Sequence, residues 1–186
     1  MVRDLSVELC GITLDNPVIP ASGTFGFGEE MSKVYDLDIL GSISIKGTTR
    51  EPRFGNPTPR IAECSSGMIN AVGLQNPGVD AVIEHELPEL RKVFHKPIIA
   101  NISGFSIEEY SECCAKIDKA EQVEIIEVRS IFPQDLLLSH NGTFLADALV
   151  ARQRLARAAH ARAKAAAHAL LKAHLPRGCG RPINCL

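Results

Sequence analysis

The chain has 186 residues, 45% of them apolar, and its 20 Lys/Arg against 22 Asp/Glu leave a formal net charge of -2. That is enough to bury the core of a soluble domain, but short of the roughly 250 residues of a closed eight-stranded (β/α) barrel. Residues 1–6 lack the apolar core of a secretory signal and no apolar run reaches membrane-spanning length, so the expected setting is cytoplasmic, with all six cysteines as free thiols.

Val7–Leu14 alternates and breaks at Gly11, which predicts a small hairpin. Pro17–Ser22 is a short apolar run ending in small residues, expected as a buried strand opening onto a loop. Glu29–Leu40 carries helical spacing through Met31, Val34, Tyr35 and Leu37. Ser42–Ile45 is the next expected strand and delivers Lys46 at its C-terminal end. About twenty residues rich in Gly, Pro, Asn and Arg follow, and loops of that length are usually functional. The loop closes on a second glycine-rich element, Asn70–Gly78. Asp80–Val93 predicts a helix with Val82, Ile83, Leu87 and Leu90 on one face and Pro88 placed to interrupt it. Pro97–Asn101 reads as a strand. Ser106–Ala120 reads as a helix opening on a capping box, Ser106 with Glu109, and Gln122–Val128 as a further strand. Strands alternating with helices predict parallel βαβ units.

The last third breaks this rhythm. Residues 1–128 carry 11 Lys/Arg against 20 Asp/Glu, while residues 129–186 carry 9 against 2, so an acidic front meets a basic tail. Phe144–Leu175 is dominated by Ala, Arg, His and Leu without Gly or Pro, which predicts one long helix. Its basic face has no aromatics and no recognised nucleic-acid motif, and reads as solvated. Two domains are expected: 1–128, and a basic helical tail over 129–186.

The chemistry gathers around the long loop. A charged amine at a strand end, facing backbone that glycines let approach closely, suits an anionic ligand, although a structural loop with a solvated lysine has the same composition. Three motifs narrow the choice: Pro20-Ala21-Ser22-Gly23-Thr24-Phe25-Gly26, Ile45-Lys46-Gly47-Thr48-Thr49-Arg50 running on to Asn70-Ala71-Val72-Gly73-Leu74-Gln75-Asn76-Pro77-Gly78, and Ala100-Asn101-Ile102-Ser103-Gly104. Together they resemble the dihydroorotate dehydrogenases, and most closely the FMN-bearing catalytic subunit of the NAD-linked class 1B enzymes, over about residues 5–128.

The resemblance implies a partial (β/α) barrel with FMN at its C-terminal mouth and oxidation of dihydroorotate to orotate in pyrimidine synthesis. It places Ser22, Lys46, Gly47 and Asn101 against the flavin, and Lys46 with Asn70, Ala71, Val72, Gly73 and Leu74 against the substrate. It also implies a homo-oligomer and a partner subunit carrying FAD and an iron-sulfur cluster. After the fourth strand the family has Asn-Ile-Ser-Cys-Pro-Asn, whose Cys is the catalytic base. Here the chain reads Arg129-Ser130-Ile131-Phe132-Pro133-Gln134. Phe132 cannot accept a proton, so no catalytic base is expected. A reading-frame shift accounts for the break: Arg-Ser-Ile-Phe-Pro can be encoded AGG-TCA-ATA-TTT-CCN, and a neighbouring frame of that string reads Val-Asn-Ile-Ser. Two other readings stand beside the enzyme: a non-catalytic half-barrel that binds or oligomerises, and a related flavin-dependent pyrimidine-reducing barrel.

Overall fold

The computed structural model describes residues 3–128 and the backbone of one strand, Ala148–Ala151. The chain opens with an antiparallel hairpin, β1 (Val7–Leu9) and β2 (Ile12–Leu14), turning through Cys10 and Gly11 at positive φ. Only Leu14 of this hairpin is buried. Pro17–Ser22 forms no strand, a correction to the expectation above. Pro17 and Pro20 have no N–H to give to a ladder, and the Val18 N–H is taken by the Asn16 side chain (3.0 Å). The segment instead reaches a short helix, α1 (Ser22–Phe25).

The helix expected over 29–40 is also broken. Helix α2 covers only Glu29–Ser32, and a 3-10 turn covers Leu37–Ile39. Between them Asp36 adopts an extended conformation and caps the Asp38 N–H (3.0 Å), a local bond that competes with helix continuation.

Three strands then lie parallel: β3 (Ile43–Ser44), followed later in the chain by β6 (Ile98–Ile102) and β7 (Ile125–Val128). Between β3 and β6 the loop contains an element that its Gly/Pro-rich composition hid, an antiparallel ribbon of β4 (Ile61–Cys64) and β5 (Gly67–Asn70). The helix expected after the loop runs as α3 (Val79–Ala81), a π turn over Val82–Glu86, and α4 (Leu87–Arg91). Pro88 cannot donate to the carbonyl four residues back, and the chain meets this by widening ahead of it rather than by ending. Helix α5 (Ile107–Ile117) starts as expected, with the Ser106 side chain accepting from the Glu109 N–H (3.2 Å).

The sheet order is β3-β6-β7-β8, where β8 (Ala148–Ala151) is antiparallel to β7 and pairs Val128 with Ala148. Residues 148–151 therefore depart from the single helix expected over 144–175; the rest of that expectation, with Arg129 and Phe132, lies outside the described residues. Ile43, Ile45, Ile98, Ala100, Ile102, Ile126 and Val128 meet Val79, Val82, Leu87, Leu90, Tyr110, Cys113, Cys114 and Ile117 in one core. Strand alternation sends the remaining residues of the same strands, among them Ser44 and Asn101, to the opposite face.

Candidate functional site

The parallel strands deliver their C-terminal ends side by side, and this juxtaposition builds the site. Beyond β3 the backbone continues to pair with β6: the Ile45 N–H donates to Ile99 O (3.0 Å), Thr48 N–H to Asn101 O (2.9 Å) and Ser103 N–H to Thr48 O (2.8 Å). Lys46 and Gly47 are thereby held against Asn101. On its other side Lys46 meets the α1 turn. Its backbone N–H donates to Gly26 O (2.9 Å) and its ammonium to Gly23 O (3.3 Å), next to Ser22.

Gly47 is buried, and a Cβ at its position would lie 3.0 Å from Leu74 Cδ1, 3.1 Å from Asn101 Oδ1 and 3.4 Å from Ser103 Oγ. A side chain there would crowd all three groups, so glycine is the residue that leaves the approach open. Asn101 and Ser103 are buried, yet among the described residues neither Asn101 Oδ1 nor Ser103 Oγ has a hydrogen-bond partner. Buried polar atoms are nearly always paired, and those that are not ask for an explanation. Gly47 thus sits beside two unpaired buried oxygens, with the Lys46 amine on the preceding residue.

The loop that brings in Leu74 is held by Asn76, only 5% exposed. Its Oδ1 accepts from the Thr49 N–H (3.1 Å) and the Gly78 N–H (2.9 Å), while its Nδ2 donates to Thr49 Oγ1 and Leu74 O (both 2.9 Å). All four hydrogen-bonding positions of the amide are filled. Leu74 itself has φ +55°, a conformation that costs a non-glycine residue energy and is held by this bracket.

Of the residues expected from the sequence, the structure brings together the Ser22–Gly26 turn, Lys46, Gly47, Leu74 and Asn101. Ala71 and Val72 lead from the ribbon back to this group through backbone bonds with Arg60 and Asn56. Gly73 does allow a close approach, but to the chain's own Asn56, which a Cβ would meet at 2.8 Å. Asn70 stands on β5 opposite Ile61, exposed on the ribbon rather than packed into the Gly47 group. Ser103 and Asn76 were not anticipated. The signal for Ser103 was its spacing two residues beyond Asn101 at a strand end, which puts both on one face.

Comparisons with known proteins identify the family. A family profile described as Dihydroorotate dehydrogenase matches residues 4–134. The Enterococcus faecalis protein named dihydroorotate dehydrogenase B (NAD(+)), catalytic subunit, is 54% identical over 142 residues, covering 76% of this chain and 45% of that one. The Bacillus caldolyticus protein of the same name is 57% identical over 129 residues, 69% of this chain and 41% of that one. This chain thus spans less than half the length of either relative. Among solved structures, the crystal structure of DHODH in complex with ferulenol from Eimeria tenella superposes with a TM-score of 0.53 at 22% identity, over 67% of this chain and 36% of that one, a likeness of fold. The family profile covers more than half of the chain: the chain belongs to the dihydroorotate dehydrogenase family.

Proposed function

We propose that this chain is the N-terminal part of a (β/α) barrel of the dihydroorotate-oxidising kind, with FMN and dihydroorotate as its ligands. The observation that carries the reading is the convergence of Lys46, Gly47 and Asn101 at neighbouring strand ends, where enzymes of this architecture gather their chemistry. Ser22, Lys46, Gly47 and Asn101 would hold the flavin. FMN, when bound, supplies the acceptor for the substrate's hydride, and the protein supplies position and charge. The Lys46 ammonium steadies negative charge on a substrate carboxylate or a reduced ring. Asn70–Leu74 is the pyrimidine-facing segment, with Leu74 bringing its end to Gly47.

The position of the family's general base is Phe132, which has no proton acceptor. We therefore read residues 1–128 as a ligand-binding unit and residues 129–186 as a tail of separate origin. The partner implied for intact relatives is an electron-transfer subunit with FAD and an iron-sulfur cluster. Titrating the purified chain with FMN while following flavin fluorescence tests the reading. Quenching that is lost in Lys46→Ala, without dihydroorotate-dependent bleaching of the oxidised-flavin band, is expected. Flavin fluorescence unchanged by excess protein overturns it.

One observation favours a second reading, a non-catalytic module that self-associates. The ribbon β4–β5 is exposed along both strands, with Ile61, Met68 and Ile69 each more than half exposed and Phe54 90% exposed beside it. A two-stranded ribbon gains little stability standing alone in water. Sedimentation of the flavin-free chain as a defined dimer, abolished by Met68→Lys with Ile69→Lys, would establish that reading.

A further inference from the structure

We propose that Ser103 is a ligand-reading residue, paired with Asn101 across Gly47 to hold the adjacent N–H and C=O groups of an imide ring edge. Ser103 is fully buried and Asn101 is 2% exposed, and among the described residues the side-chain oxygens of both lack hydrogen-bond partners. Both lie within 3.4 Å of the point where a Gly47 side chain would start. Two unpaired polar atoms beside one glycine are a cost that a ligand bound there removes.

The two atoms differ in what they need. The Asn101 amide oxygen only accepts, so it calls for an N–H, whereas the Ser103 hydroxyl has a proton to donate and calls for a C=O. A group presenting these side by side is an imide edge, of the kind carried by a flavin ring and by a pyrimidine such as orotate. A phosphate or carboxylate would satisfy Ser103 and leave Asn101 unpaired. Leu74 Cδ1, 3.0 Å from the same point, is the flexible apolar end that a ring would push aside on entry and then rest against. The proposal rests on the reading of this site as a ring-binding one, and extends it by a residue and by the edge that is read.

Ser103→Ala removes the hydroxyl with almost no change of volume. The full-length variant and wild type are titrated separately with FMN, by fluorescence quenching, and with orotate, by equilibrium dialysis. Thermal midpoints are measured without ligand. The expected result is about a tenfold loss of affinity for one of the two ligands, the loss of one buried hydrogen bond, with an unchanged or raised midpoint because an unpaired buried group has gone. A loss confined to FMN assigns the edge to the flavin, and one confined to orotate assigns it to the substrate. If wild type binds FMN and Ser103→Ala binds both ligands equally well, Ser103 reads nothing and the proposed function stands. If wild type binds orotate through Ser103 but not FMN, the flavin reading falls and Ser103 is upheld. Failure to bind either ligand overturns both.

Discussion

At the scale of single residues, Asn76 marks the difference between a loop and a built site. Its amide closes four hydrogen bonds between the β3 exit and the start of α3. Asn76→Ala strips these partners at a buried position, where an unsatisfied group costs about 1–3 kcal/mol. Urea denaturation should show a loss of about 2–3 kcal/mol, with a larger effect on ligand affinity than on helix content, because Leu74 is released at the same time. The two adjacent cysteines of α5 show the reverse case of chemistry suppressed. Burial pushes the Cys113 thiol up to about 12 and Cys114 to about 11, helped by the charge of Glu109 or Asp118 nearby. Thiolate is the reactive form, so at neutral pH a maleimide should label exposed Cys64 and leave Cys113 and Cys114 unmodified until denaturant is added, as read by peptide mass mapping.

At the scale of elements, what was legible was what obeys a period. The hairpin at Val7–Leu14 was read from alternation, the three parallel strands from short apolar runs between helical segments, and the start of α5 from one capping pair. The misses each have a local cause. Two prolines removed the donors that a strand at Pro17–Ser22 needed, and the Asp36 side chain captured the turn where one helix would have run on to Leu40. The ribbon β4–β5 was hidden in a loop because neither of its strands has a buried face to produce a pattern. At 148–151, pairing with the free edge of β7 outweighed alanine's helix preference, a case of context overriding propensity. For the site, Lys46 and Asn101 were legible because both follow apolar runs, whereas the unpaired state of Ser103 depends on a fold that no local spacing reveals.

An interaction between elements also sets a dependence on acidity. Asp38, in the 3-10 turn before β3, accepts from the His95 backbone N–H (2.9 Å) and faces His95 Nδ1 (2.8 Å), tying that turn to the approach to β6. The backbone bond from His95 holds its carboxyl below the ordinary carboxylate range. A depressed folded value means that the unfolded chain binds the proton first. The contribution of Asp38 is therefore complete above the ordinary range and disappears as pH falls through the lowered value. Asp38→Asn should reduce stability at neutral pH and flatten the acid limb of the stability curve between those two points, measured by denaturant midpoints at stepped pH.

At the scale of the whole molecule, the two ends of the parallel sheet divide the work. The N-terminal ends are clamped by Arg91 of α4, which donates to Lys96 O (2.7 Å), to Gln122 O and to Glu124 Oε1 (2.6 Å), while Glu124 Oε2 accepts from the Ile98 N–H (2.8 Å). This half-buried fork joins α4, β6 and β7 at the edge away from Lys46. Arg91→Ala should cost about 2 kcal/mol, the usual worth of charge-assisted hydrogen bonds once partial exposure is discounted. The five residues of β6 separate the fork from the Gly47 end of the sheet by about 15 Å at strand rise, and effects at such a distance add within a few tenths of a kcal/mol. Arg91→Ala should therefore lower the denaturation midpoint and leave FMN affinity where it was, Lys46→Ala should do the opposite, and the double variant should show the sum of both. A double variant whose affinity loss exceeds that of Lys46→Ala alone would mean that the clamp shapes the mouth, and that the sheet responds as one spring rather than as a stable base under a separate site.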